Sequence, residues 1–468
     1  MNAVPSLLGR LRGLRIVDDA AEQALVADDV LTLADLELAV VEDRAVAADP
    51  RLRRAAETLA QEARPVMLGR AWDILDTLIA SLRSHCRSLH AVEASAAIRR
   101  AEPLVRELVV VAQAEDPASA IHAIAALPTI ADVLHRGPRR LVVLFAGSEV
   151  DVRVTTPADY GTVLFSTTGP PAHAAEVFNR GTRRACASER DVYAQAGLAW
   201  LPPETRDGPG AIDRAMRGDV PRLIERADIR GDLHMHSTYS DGRDSLPRMI
   251  EAAHALGHEY IAITDHSEHA AAARTLSLDQ LARQGDEIAR LRETAPGMTI
   301  LHGLEVDIMP DGTLDCPDAA LEPLDIVLAS LHDSAGHDGA RLTRRCLAAI
   351  RHPLVSVITH PANQLVGRRA GYDLDYAAIY EAAAETGTAL EIDGAPSHLD
   401  LSGERAGEAV RAGATVVIDS DCHRAVALDR QMQMGVGTAR RGWVEPAHVL
   451  NARPLDAVRA FVARKRAR

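Results

Sequence analysis

Gly231-Asp232-Leu233-His234-Met235-His236-Ser237-Thr238-Tyr239-Ser240-Asp241-Gly242 is the stretch whose reading decides the fold. Side chains two residues apart in an extended chain point to the same side. His234 and His236 can therefore grip one ion together from the end of a short apolar strand. Asp241 follows in a Ser/Gly turn and offers a hard oxygen. A lone His-x-His pair is more commonly the mark of buried, hydrogen-bonded structural histidines. The chain as far as His423 decides between these, because it repeats the arrangement.

From residue 229 to 468, apolar strand-like runs alternate with Ala/Leu/Arg-rich helical stretches, the pattern of βα units around a parallel sheet. The runs are Asp232–His234, Tyr260–Thr264, Thr299–Leu304, Ile326–Ser330, Val355–Thr359, Ala389–Ile392 and Thr415–Ile418. They are enough to close or nearly close a barrel. His234, His236 and Asp241 follow the first run, and Asp265 and His266 the second. Glu305 and Asp307 follow the third, His332 the fourth and His360 the fifth. Asp419, Asp421 and His423 end the seventh, so only the sixth run is read as bare.

The C-terminal ends of parallel barrel strands converge on one face, where active sites lie. Histidines placed for structure alone would also fall in strand middles and on helices, as His254, His302 and His448 do. Mixed imidazole and carboxylate donors suit Zn²⁺, Mn²⁺ or Fe²⁺ rather than Ca²⁺ or Mg²⁺ alone. The donors exceed the roughly four to six that one ion uses, which implies two or three ions. Glu305 and Asp421 are the natural bridging carboxylates. With His234 and His236 they form the candidate catalytic set. Such a site hydrolyses phosphoesters without a protein nucleophile, so Cys422 is assigned to packing.

Composition sets the outer limits. With 468 residues the chain has room for two or three domains. Hydrophobic residues at 47% and charged residues at 25% mark an ordinary globular protein. No apolar run reaches the roughly 18 residues of a membrane span. Met1-Asn2-Ala3-Val4-Pro5 lacks the parts of a secretory signal. The five cysteines show no CxxC spacing, which points to a reduced, cytoplasmic protein. A net charge of −14 argues against broad nonspecific nucleic-acid binding, although bound cations would offset part of it. Lys465 is the sole lysine, which nearly excludes lysine-nucleophile chemistry.

Upstream, residues 1–90 are expected to be helical, with good helix formers over Asp18–Ala27 and Ala55–Ala63. Residues 91–228 are expected to hold a small antiparallel sheet, with strands at Glu107–Val111, Arg140–Phe145 and Glu149–Val154. Pro202, Pro203, Pro209 and Pro221 mark a connector, with the boundary expected near Asp228. The basic end Arg464-Lys465-Arg466-Ala467-Arg468 reads as a frayed, solvated tail.

The pattern His234-x-His236, Asp241-Gly242, Thr264-Asp265-His266, Gly303-x-Glu305-x-Asp307, Ser330-x-His332, His360-Pro361 and Asp421-x-His423 closely resembles the PHP (polymerase and histidinol phosphatase) superfamily. The resemblance implies an α/β fold whose C-terminal part is a distorted seven-stranded (βα) barrel with a trinuclear metal site. Carried over by position, the metal ligands are His234, His236, Asp241, His266, Glu305, His332, His360, Asp421 and His423. The segments Asp228–His234, Gly371–Asp375 and Gly435–Trp443 resemble the PHP domain of bacterial family X DNA polymerases in particular. That branch implies a Mn²⁺-dependent 3′–5′ exonuclease acting on DNA 3′ ends in repair. The resemblance covers at least residues 91–468.

The same resemblance exposes losses. The palm pattern Gly-Ser-x-Arg-Arg stands as Ala96-Ala97-Ile98-Arg99-Arg100, and the Asp-x-Asp strand as Glu107-Leu108-Val109, followed by Asp151. Val109 cannot ligate a metal, and Ala96-Ala97 loses the close backbone approach to a triphosphate. Tyr-Phe-Thr-Gly stands as Ser166-Thr167-Thr168-Gly169. No DNA synthesis is expected. The helical region lacks the Gly-x-Gly hairpin around Gly13–Val17 and looks short by one lyase-type domain. The expected organisation is a helical, degenerate helix-hairpin-helix-like region (1–90), a degenerate palm/thumb-like domain (91–228) and the phosphoesterase domain (229–468). Arg368, Arg369 and Arg440 are candidate substrate-phosphate contacts. The competing functions are a phosphomonoesterase acting on a small phosphorylated metabolite and a non-catalytic DNA-repair scaffold.

Overall fold

In the computed structural model, residues 6–62, 64–182, 184–270, 274–294 and 297–468 are described. Met1–Pro5, where no secretory signal is read, and Ala63, the last residue of the second helical stretch, lie outside them. The chain divides into two compact units, Met1–Val220 and Pro221–Arg468.

After a first helix, Leu7–Gly13, the first unit runs through helices Asp19–Ala27, Leu33–Val41, Pro50–Glu62 and Leu68–His85. Local sequence starts them: Asp18 and Thr32 cap the first two of these four, and Thr32 forms a capping box with Asp35. A five-stranded sheet follows, in the spatial order Ala91–Ala94, Leu108–Gln113, Ser148–Thr155, Arg140–Phe145, Asp132–Arg136. The expected antiparallel sheet needs correction: the central pair, Leu108–Gln113 with Ser148–Thr155, is parallel. The intervening chain holds a helix and two further strands, and a crossover of that length brings Ser148–Thr155 in alongside Leu108–Gln113.

The second unit is a nearly closed parallel barrel. Its strands are β1 (Gly231–Asp232), β2 (Tyr260–Ile263), β3 (Thr299–Asp307), β4 (Ile326–Ser330), β5 (Val357–Ile358), β6 (Ala389–Asp393) and β7 (Val416–Asp419). They lie side by side in chain order, every neighbouring pair parallel. Side chains close the seam between β1 and β7. Asp419 accepts from the Leu233 amide at 2.7 Å, and Asn451 donates to the carbonyls of Gly231 and Ile418.

Alternation along the strands separates two apolar layers. Leu304, Val306, Val327, Ala329, Ile358, Leu390 and Ile418 pack outward against the helices. Leu233, Ala262, Leu301, Leu328, Val357, Ala389 and Val417 point inward, where Val458, Phe461 and Val462 of the C-terminal helix Leu455–Arg466 join them. The basic tail is therefore not the solvated fray that its charge suggests. Lys465 is buried and donates to the Ile350 carbonyl, and Arg466 donates to the Leu324 carbonyl at 2.7 Å. Carbonyls in the last turn of a helix lack partners within it, and Lys465 supplies one for Ile350, near the end of the helix Gly339–Arg351. Among the described residues no helix is long and apolar enough to cross a membrane.

Candidate metal centre

The nine candidate ligands arrive at one place, the C-terminal mouth of the barrel. Glu305, fully buried at the end of β3, is the hub. Its Oε2 lies 2.7 Å from His266 Nδ1 and 3.3 Å from His234 Nε2. Its Oε1 lies 3.1 Å from His360 Nε2 and 3.4 Å from His332 Nε2. Asp421 Oδ1 sits 3.0 Å from His236 Nε2 and 3.6 Å from His234 Nε2. Asp241 Oδ1 sits 3.1 Å from His423 Nε2 and 3.6 Å from His266 Nε2. A tight turn folds Asp241 back onto this group, because a Cβ at Gly242 would stand 2.6 Å from the Ser237 carbonyl oxygen. His360 (φ 26°) and Asp421 (φ 49°) both hold left-handed backbone. Such strain costs roughly 1–3 kcal/mol per residue and clusters at functional sites.

Residues behind these fix their direction. Glu391 accepts from His234 Nδ1 at 2.7 Å and from the His360 amide at 2.7 Å, and Asp307 holds His332 Nδ1. An acceptor on one ring nitrogen sets the tautomer and presents the other nitrogen to the centre. Ser330 and Thr359 hold Glu305 Oε1. Asp265 is turned to a different task. It takes hydrogen bonds from Ser237, Ser240 and Gln284, and so pins the turn that carries Asp241.

The electrostatics follow from burial and neighbours. Burial disfavours a charged His332, but the Glu305 and Asp307 carboxylates outweigh it and push the imidazole up to about 10. At His423, Asp421 and Asp241 likewise overcome burial and raise it to about 9. Burial would raise Asp241 too, but His423 and His266 hold it down at about 2. His236 is lowered to about 4 by burial and by the neighbouring His266 and His423.

Divalent ions fit these residues. His236 Nδ1, Asp241 Oδ1, His266 Nδ1 and Glu305 Oε2 are buried yet have no aligned hydrogen-bond partner. Short approaches without hydrogen-bond alignment are what donors aimed at a common cation produce. Three-to-four-residue groups lie within ion-binding distance: His236/Asp241/His266/His423, His234/His236/Asp421 and His266/Glu305/His332.

Comparison with known proteins adds the ancestry. The model described as PHP domain matches residues 232–386. The Bacillus subtilis (strain 168) protein named DNA polymerase/3′-5′ exonuclease PolX is 37% identical over 388 residues, 78% of this chain and 68% of its own length. The chain belongs to the PolX family. A Thermoanaerobacter sp. (strain X514) protein designated "Probable phosphatase" is 31% identical over 204 residues, 41% of this chain and 78% of its own length. A solved histidinol phosphate phosphatase from Lactococcus lactis subsp. lactis covers 46% of this chain and 94% of its own at 18% identity, with a TM-score of 0.36. A likeness of that size carries no functional argument. This PolX-family chain is a metal-dependent phosphoesterase.

The substrate arginines separate. Arg369 lies in the loop after His360 and donates to Asn363, which in turn donates to the His332 carbonyl. Its neighbour Arg368 is exposed in the same loop. Arg440 does not belong with them. It ends the helix Leu428–Arg441, which runs back from the mouth of the barrel, and it donates to the Ile224 carbonyl. At 1.5 Å per residue, roughly 18 Å of helix separates it from the helix start nearest His423.

β6 holds what the sequence left out. Glu391 and Asp393 share the inward parity of Ala389, and His398 follows in the next loop. Two carboxylates at alternate positions of a fully buried strand are the signal that could have found them.

Proposed function

We propose that the chain shortens DNA from its 3′ end, with Mn²⁺ as the working ion and the nine gathered residues as its ligands. The single observation that carries this is the convergence of those residues on Glu305 and Asp421 in a chain 37% identical to a named 3′-5′ exonuclease. His234, His236 and Asp421 would hold one ion, and His266, Glu305 and His332 another. Asp241 and His423 complete the outer side, and His360 steadies Glu305. Ions held there would supply Lewis-acid activation of water and neutralise the phosphate. The chain's own residues orient the donors, exclude solvent around Glu305 and release the imidazole protons that metal uptake displaces. Arg369 and Arg368, in the loop after His360, would meet an entering substrate phosphate.

The first unit supports loss of DNA synthesis. Val109 pairs in register with Asp151, so the place of a second metal-binding carboxylate is apolar. We assign residues 1–90 to a degenerate helix-hairpin-helix-like region, 91–228 to a degenerate palm/thumb and 229–468 to the phosphoesterase. A reduced, cytoplasmic setting fits a DNA-processing relative and five cysteines without a disulfide.

The test is metal-reconstituted protein on 3′-labelled and 5′-labelled oligonucleotides, with the His234→Ala/His236→Ala double variant as control. Stepwise loss from the 3′ end, absent in the control, is expected. A second reading, hydrolysis of a small phosphorylated metabolite, is favoured by the phosphatase-designated relative that matches over 41% of the chain. Turnover of small monoesters with no shortening of DNA would select it.

A further inference from the structure

β6 extends the cluster beyond the nine residues already assigned. Asp393 is fully buried. Its Oδ1 accepts from the Ala395 amide at 2.6 Å, while Oδ2 is buried with no partner. His398 stacks on His360 with ring centroids 5.4 Å apart, and its Nδ1 is likewise buried and unpartnered. The loop that presents it is clamped, because Gln364 donates to the carbonyls of His398 and Leu399 at 2.8 Å each. One donor atom each from Asp393, His398 and Asp421 lie within 4.8 Å of one another. Asp421 is otherwise faced by the imidazoles of His234, His236 and His423.

We propose that Asp393, His398 and Asp421 form a further divalent-cation position, joined to the main cluster through Asp421. Two carboxylates and one imidazole balance the charge of a divalent ion and suit Mn²⁺ or Zn²⁺. A set of three protein donors leaves coordination positions open, as in catalytic rather than structural sites. The position therefore serves an oxygen of the substrate or its leaving group, next to the ions that His234 and His236 hold. Glu391 reaches His234 and His360 instead, so β6 supplies both an orienting carboxylate and a ligating one.

This assignment rests on the proposed metal-dependent site, and the experiment separates the two. Free Mn²⁺ is followed by electron paramagnetic resonance while the whole chain, His398→Gln and Asp393→Asn are titrated. Thermal unfolding checks each variant's fold. Both variants are expected to bind about one ion fewer than the parent chain, with the remaining ions retained. Equal stoichiometry in parent and variants overturns the assignment, as does loss confined to one variant or loss of several ions at once. If Asp393→Asn does not fold, His398→Gln alone decides, since His398 sits at the rim. A parent chain that takes up no Mn²⁺ sinks the metal centre as well.

Discussion

The chain carries two clusters of buried acids, one in each unit, and what faces them differs. In Met1–Val220, Asp151 is gripped by Arg140 (Nη2 at 2.8 Å) and Arg153 (Nε at 3.0 Å), and Asp35 reaches Arg140 Nη2 at 2.6 Å. In Pro221–Arg468, Glu305 and Asp421 are faced by imidazoles, and Glu305 Oε2 lacks an aligned partner. A guanidinium is permanently charged and uses up the lone pairs it meets. An imidazole gives up its proton and turns into a donor to metal. The same carboxylate chemistry thus becomes a structural ion-pair network in one unit and an ion-binding cluster in the other. Burial also leaves Glu107 raised to about 7, so the neighbouring acid of the first unit is not a dependable anion.

The contrast breaks most sharply at the barrel. His234→Ala/His236→Ala should remove the ion those residues would share with Asp421 and lower phosphoesterase kcat/KM by about 10³-fold, matching the several kcal/mol that a Lewis acid supplies. Single-turnover assays with metal analysis check it. In the first unit, Arg140→Ala leaves Asp35 and Asp151 buried with one cation fewer. Denaturant unfolding should show a loss of about 3–5 kcal/mol, with barrel hydrolysis retained. Val109→Asp should add no metal to the first unit and restore no nucleotide incorporation, because Arg140 and Arg153 still hold Asp151.

Finer changes sharpen the contrast. Glu391→Gln removes the charge and turns into a donor one of the two oxygens that serve His234 and the His360 amide, and should cost about 10–100-fold in metal affinity or activity without abolishing either. The smallest effect is on pH dependence of the metal-free protein. His332 and His423 are raised to about 10 and about 9, so their stabilisation is complete below about pH 6.5. It fades as pH climbs through 9 and 10. Melting temperature of the metal-free chain should fall across that window, and saturating Mn²⁺, which displaces those protons, should remove the dependence.

Much of the barrel and of its candidate ligand set is legible in the sequence. Histidines and acids follow six apolar runs, and strand direction alone sends them to one face. Glu391 escapes because it lies inside the sixth run, where an acid in a buried run reads as noise, whereas Asp393 directly follows that run and is legible there. Arg440 is misplaced because a family-like flank gives no helix direction. Lys465 looks solvated because charge in a sequence does not show a carbonyl waiting across the fold. The parallel pair at Val109 and Asp151 joins strands far apart in sequence, which local periodicity cannot report.

The most direct measurement is a count of bound Mn²⁺ at equilibrium in the parent chain, in His234→Ala/His236→Ala and in Asp151→Ala. At least two ions are expected in the parent, at least one fewer in the double histidine variant, and an unchanged count for Asp151→Ala. No uptake by the parent, or ions lost with Asp151 and kept without the histidines, would contradict the assignment of the metal centre to the barrel.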